Sequence, residues 1–241
     1  MTVDCEVKPV LKWVGGKRQL VPDIREFYKN LSPNKYVEPF FGGGAVYFDI
    51  LNTLGIKHKE TAIINDANRD LIDMYKNIKR NPEELIYFCN ALKKDYKKYD
   101  YYFIREKFNG IDSYKNKIDK YEGIERSAAL IVINRTCFNG LYRVNSNGIF
   151  NVPKGSYKNP TIVDEENLHK LSLLLPKTKN IRCKEFDDIK EISKGDLVYF
   201  DPPYHPLNET SSFTSYSGAF GREEQIRLRD YFDKLNKKGV H

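Results

Sequence analysis

The stretch from Tyr36 to Arg80 alternates strand, helix, strand and helix, and this alternation restricts the fold more than any other feature of the chain. Tyr36-Val37-Glu38-Pro39-Phe40 is a short β-prone run that leads into Gly42-Gly43-Gly44. A helical pattern follows from Ala45 to about Leu54 and is closed by Gly55. Thr61 to Asp66 reads as a second strand, and Arg69 to Arg80 as a helix stopped before Pro82. A helix between successive strands is a crossover connection, so the sheet is expected to be parallel. The pattern returns late in the chain. Ile181 to Phe186 and Asp196 to Asp201 read as strands, and Glu223 to Leu235 as a helix ended by Gly239, with Val240 opening a further strand. Upstream, Lys17 to Asn30 reads as a helix with Leu20, Ile24 and Phe27 on one face and Pro22 tolerated near its start.

Between these blocks the pattern changes. Residues 82–108 and 124–135 look helical and 110–120 look like a loop. "VNSNGIFNVPKGSYKNP" is rich in turn residues, with a hairpin expected at Asn147-Gly148. The expected organisation is an α/β core over 1–75 and 176–241, interrupted by a mainly helical insertion over 76–175. A chain of 241 residues, 40% hydrophobic and 13% aromatic, can build a substantial core, which excludes wholesale disorder. The net charge of +7 fits a nucleic-acid partner, and fits a lysine-rich solvated surface as well. Cys5, Cys89, Cys137 and Cys183 show no metal-ligand or disulfide-framework spacing, so reduced thiols in a cytoplasmic protein and no metal are expected. No signal-like or membrane-spanning apolar segment is found in the sequence.

Three segments carry candidate chemistry. In open α/β sheets ligands sit beyond the carboxyl ends of the strands, so the glycine turn in "EPFFGGG" is a candidate ligand site, with a plain flexible turn as the alternative. The spacing is not that of the dinucleotide fingerprint. Asp66, closing the second strand, can accept hydrogen bonds from both hydroxyls of a ribose, or can simply cap the helix that starts at Arg69. Taken together, the turn and the acid favour a nucleoside-containing cofactor. "KWVGGKRQL" sets the single tryptophan, Trp13, beside two glycines and Lys17, without the P-loop pattern.

The third segment is "GDLVYFDPPYHPL". Pro202 and Pro203 each push the preceding residue toward extended geometry, so Asp201 is held at the end of a stiff turn. Such a turn aims a carboxylate, a carbonyl oxygen and the ring of Tyr204 at one point. That set suits a planar ring bearing an exocyclic amine, with two acceptors for the N–H groups and an aromatic face for stacking. Adenine N6 is such an amine, and two acceptors can localise its delocalised lone pair for attack.

With "NDANRDL" and "NRTCFNGLYRVNSNGIFNVPKG" in order between them, these motifs resemble those of the Dam-like, GATC-modifying DNA adenine-N6 methyltransferases (D12 class) along nearly the whole chain. The resemblance implies a Rossmann-like sheet with an inserted target-recognition domain, and S-adenosylmethionine as methyl donor. It assigns Trp13, Lys17, Asp66 and Asp201 to donor binding, Phe40, Gly42 and Gly44 to the turn under the methionine part, and Glu185 and Phe186 to the border of the adenine. Asp201, Pro202, Pro203 and Tyr204 become the catalytic motif, acting on an adenine flipped out of the duplex, with no metal and no covalent intermediate. Phe213-Thr214-Ser215-Tyr216 is expected to form a lid. In the recognition domain the resemblance makes Arg143 the reader of the first guanine and Leu141 and Pro153 contacts to outer bases. Phe138 becomes a wedge in the duplex, with Asn139 near the orphaned thymine. Double-stranded DNA is the expected partner of a monomer, and a cognate restriction endonuclease in the same system, without direct contact, is compatible with it. Members of the family continue past the position matching His241, so a C-terminally shortened sheet is expected. The alternatives are a non-catalytic remnant that binds DNA or donor, and an amino-group methyltransferase acting on RNA or protein. Asp rather than Asn at the head of the motif favours DNA adenine.

Overall fold

β1 (Tyr36–Glu38) lies inside a parallel four-stranded sheet of order β3-β2-β1-β4, where β2 is Ile63–Asn65, β3 is Ile181–Arg182 and β4 is Leu197–Val198. The structure is a computed structural model, and it describes residues 7–13, 15–203 and 220–241. It divides into two compact units, one of Gly15–Ile72 and Leu174–His241 with Val7, the other of Lys8–Val14 and Asp73–Leu173.

In the first unit Val37 pairs with Ile63 on one side and Val198 on the other, so the sheet order reverses at β1. The strands are shorter than the sequence suggests, for local reasons. Tyr199 still donates to the Val37 carbonyl (3.0 Å), but Pro39 has no N–H to give the next rung. β3 stops at Arg182 because the side chain of buried Asn65 takes over both backbone groups of Lys184, at 3.0 and 2.9 Å. Beyond β4, His241 donates to the Asp196 carbonyl and accepts from the Val198 N–H, both at 2.9 Å. Helix α2 (Ala45–Leu54) follows β1 and begins the crossover to β2.

The helix expected over 17–30 is not continuous. A 3-10 turn at Lys17–Gln19 precedes a five-residue α1 (Val21–Arg25), and turns follow. Val21 and Tyr28 point inward, whereas Phe27 is 83% exposed and Leu20 50%. The cause is Asp49 on α2. It receives Arg25 on both oxygens (2.9 and 2.5 Å), Thr53 (3.1 Å) and the Tyr28 hydroxyl. A charged, hydrogen-bonded anchor outweighs the apolar stripe that the spacing favours.

The second unit is built on α5 (Gly123–Thr136), whose residues Ser127 to Asn134 are buried all round. α4 (Pro82–Asn109) packs on it and breaks helical geometry at Asp100, which has φ +77° and pairs with Lys154. Residues 110–120, read as a loop, form a bridged turn in which Ile111 pairs with Lys117 and Asp112 accepts the N–H groups of Tyr114 and Asn116. Val144 and Phe150 pair antiparallel across the turn that contains Asn147-Gly148. α3 (Arg69–Arg80) precedes α4, and α6 (Glu165–Leu174) and α7 (Arg222–Lys237) complete the helices named among the described residues. None of these helices is long and apolar enough to cross a membrane.

Candidate active site

The reversal of strand order between β1 and β4 opens a crevice at their carboxyl ends, where α/β sheets bind ligands. Two of the three segments singled out in the sequence end there. β1 runs into Phe40, Gly42 and Gly44, and β4 runs into Asp201, Pro202 and Pro203. Gly42 and Gly44 have φ of +49° and +71°. A Cβ on Gly44 would meet the Phe41 ring at 2.6 Å, so no larger residue fits at the cap of α2.

Asp66 fastens the turn to β2. One carboxylate oxygen accepts the Gly42 N–H (2.9 Å) and the other the Asn68 N–H (2.8 Å). The cap of α3 is instead Asn68, whose side chain accepts the Leu71 N–H at 3.0 Å. Each Asp66 oxygen keeps a lone pair, so two ribose hydroxyls can still be accommodated. Burial pushes the Asp66 carboxyl up to about 6, against the pull of its two backbone donors. Burial likewise raises Asp201, opposed by Lys17, whose Nζ lies 2.7 Å from one oxygen of Asp201.

Phe40 and Phe186 stack with centroids 5.4 Å apart, and Phe220 packs on both. Phe200 and Tyr231 extend this aromatic cluster. Glu185 is 3.5 Å from Arg227, which also pairs with Asp187 and lies over the Phe186 ring. Sequence reasoning passed over two members of this site. Phe220 sits beside the glycine that caps α7 and offered only its aromatic character as a signal. Glu38, in the quoted "EPFFGGG", is 3% exposed and accepts from the Tyr36 hydroxyl at 2.7 Å. Tyr204 and the expected lid at Phe213–Tyr216 lie outside the described residues.

Trp13 belongs to the second unit, where its ring packs on Tyr142, centroids 5.4 Å apart. The five residues assigned to DNA lie close in that unit. Phe138 is half exposed, and its N–H donates to the Pro153 carbonyl at 2.8 Å. Asn139 takes the left-handed conformation (φ +52°), which asparagine tolerates. The Leu141 carbonyl accepts from Cys137. Arg143 is held by Asn151, with Nε donating to Oδ1 (2.7 Å) and Nη2 to the carbonyl (3.4 Å), while its own carbonyl accepts the Asn151 N–H (3.1 Å).

A parallel α/β sheet of this order, with a glycine turn ending β1 and acids after β2 and β4, is a Rossmann-like fold of the methyltransferase type. Residues 13–241 match the family described as D12 class N6 adenine-specific DNA methyltransferase, and the chain belongs to that family. It is 45% identical to the type II methyltransferase M.MjaIII of Methanocaldococcus jannaschii, across 98% of this chain and 82% of that protein. It is 44% identical to the type II methyltransferase M1.LlaDCHI of Lactococcus lactis subsp. cremoris, across 97% and 79%. A DNA adenine methylase of Vibrio cholerae is 35% identical, across 95% and 76%. The reaction is methyl transfer to N6 of adenine in DNA.

Proposed function

We propose that the methyl donor is S-adenosylmethionine, that the target adenine is flipped out of duplex GATC, and that the second unit is the target-recognition unit. The observation that carries this reading is the placement of Asp201-Pro202-Pro203 after β4, next to the β1 strand whose glycine turn is tied to Asp66. When bound, S-adenosylmethionine supplies a methyl group activated on a sulfonium. Asp66 receives the ribose hydroxyls, and the glycine turn leaves room for the chain that bears the sulfur. Lys17 holds Asp201 ionised through one oxygen, and the other oxygen accepts one N6 hydrogen while the Pro202 carbonyl accepts the second. Tyr204 is assigned to stack on the base. As N6 gains the methyl group it becomes cationic, and Asp201 stabilises that charge and takes the displaced proton. The enzyme is taken to act as a monomer, and the type II names of two relatives favour a restriction–modification setting.

The test is transfer of labelled methyl from S-adenosylmethionine to an unmethylated GATC duplex, with a scrambled duplex as control. Label on both duplexes alike would remove the GATC assignment, and no label with the donor would remove the donor.

Donor affinity is expected to rise as pH climbs through about 6, because protonated Asp66 accepts one ribose hydrogen bond fewer. Calorimetric titration between pH 5 and pH 8 reads this directly, and a flat profile would remove Asp66 from the ribose.

Arg143→Ala is expected to relax discrimination at the first guanine by about 1–3 kcal/mol. Asn151→Ala should do the same more weakly, since it frees the guanidinium from its clamp. Methylation of duplexes altered at one base pair is the measurement. A uniform loss on every duplex would mark Arg143 as a phosphate contact instead.

A further inference from the structure

Glu38 is a buried acid that the transfer chemistry above does not use. It stands at the last position of β1, between the strands that end in Asp66 and Asp201. The groups facing it come from each neighbouring element. From β1 itself, Tyr36 donates its hydroxyl at 2.7 Å. From α2, the Tyr47 N–H donates to the carboxylate, at a helix start whose cap, Gly44, has no side chain to offer. After β2 and β4, Asp66 and Asp201 act on it through space as like charges, the latter paired with Lys17. Tyr28 and Tyr199 act in turn on Tyr36. Two donors and a helix N-terminus favour the carboxylate, while burial and two like charges oppose it. Burial is the largest influence and holds the Glu38 carboxyl well above the usual carboxylate range.

A group balanced in this way changes state when a positive charge arrives beside it and changes back when that charge leaves. Methyl transfer removes such a charge. The S–CH3 bond breaks and the N–CH3 bond forms, the sulfur keeps the bonding electron pair, and the sulfonium becomes a neutral thioether while N6 loses a proton. We propose that Glu38 is the positioning residue by which the site tells the sulfonium donor from its thioether product. It carries its negative charge while the donor is bound and takes up a proton from solvent once the product has formed, which favours exchange of product for fresh donor. This inference rests on S-adenosylmethionine being the donor.

The test is calorimetric titration of the whole chain with S-adenosylmethionine and with S-adenosylhomocysteine, from pH 6 to pH 9, in two buffers of different ionisation enthalpy. Donor binding is expected to release a proton that product binding does not, and the preference for donor over product should grow with pH. Asp66 meets the ribose of both ligands, so its titration cancels from the ratio. In Glu38→Gln the excess proton release should vanish, and the preference should fall by on the order of tenfold and become independent of pH. A folded Glu38→Gln protein with unchanged preference and unchanged proton release would overturn the inference, and would point to Asp201. If Glu38→Gln does not fold, Tyr36→Phe decides. It keeps the carboxyl and removes a donor to the carboxylate, so the pH midpoint of the preference should move up, and an unmoved midpoint would overturn the inference. Wild-type protein that binds neither ligand would instead remove the donor reading, a result unlike either of the others.

Discussion

Asp201→Ala is expected to abolish methyl transfer while leaving DNA affinity nearly unchanged, and Asp201→Asn to lower the rate by on the order of 10²–10³. The two variants separate two contributions. Asparagine can keep an acceptor for one N6 hydrogen but loses the charge that stabilises the developing cation, whereas alanine loses both. The charge acts strongly because the site is partly desolvated. Burial raises the Asp201 carboxyl, and Lys17 at 2.7 Å works against that rise. Lys17→Met should therefore slow transfer most at low pH, by letting Asp201 take up a proton. Single-turnover methylation reads the chemistry, and fluorescence anisotropy on the same duplex reads the binding. Transfer by Asp201→Ala at the wild-type rate would end the proposed role, and a parallel loss of DNA affinity would make the residue part of the DNA surface.

The sheet and its site were legible in the sequence to different depths. The strands announced themselves by β-branched runs, and their carboxyl ends by Pro39, the glycines and the Asp-Pro-Pro turn, because each of these acts through its own backbone. Helix α2 keeps the expected bounds of Ala45 and Leu54 for the same reason, with Gly44 and Gly55 at its two ends. The segment 17–30 was misread because its stripe of Leu20, Ile24 and Phe27 is a local signal, and the deciding partner, Asp49, lies more than twenty residues away. β3 fell short for an equivalent reason, the side chain of Asn65 reaching Lys184 across the sheet. Glu38 was quoted within its motif but not weighed, since nothing in the linear sequence says that its neighbours are Asp66, Asp201 and the start of α2. Residues 8–13 show the same limit. Chain order sets them ahead of the first unit's residues, and only long-range contacts join them to α5.

Those contacts centre on Asn134, for which Asn134→Leu is expected to destabilise the protein by about 3 kcal/mol, more than most single substitutions. Asn134 is fully buried near the end of α5. Its Oδ1 accepts the Lys12 N–H at 2.8 Å, and its Nδ2 donates to the carbonyls of Lys12 (3.2 Å) and Gly140 (2.7 Å). Leucine keeps the branched four-atom skeleton, though it is bulkier, but leaves three backbone groups without a partner, and each unpaired buried group costs roughly 1–3 kcal/mol. Water cannot enter cheaply where Gly140 meets Lys12. A Cβ on Gly140 would come within 2.4 Å of the Lys12 side chain, so that contact is made by a glycine alone. Urea unfolding of the variant measures the loss, and hydrogen exchange locates it, with protection expected to fall at Lys12 and around Gly140 before it falls in α4. The position matters for function because Lys12 is followed by Trp13 and Gly140 by the Leu141–Arg143 segment, and Trp13 packs on Tyr142. One amide thus fixes the backbone of both partners in that pair. A loss under about 1 kcal/mol, with protection unchanged at Lys12 and Gly140, would show that the ring contact holds the two segments together without it.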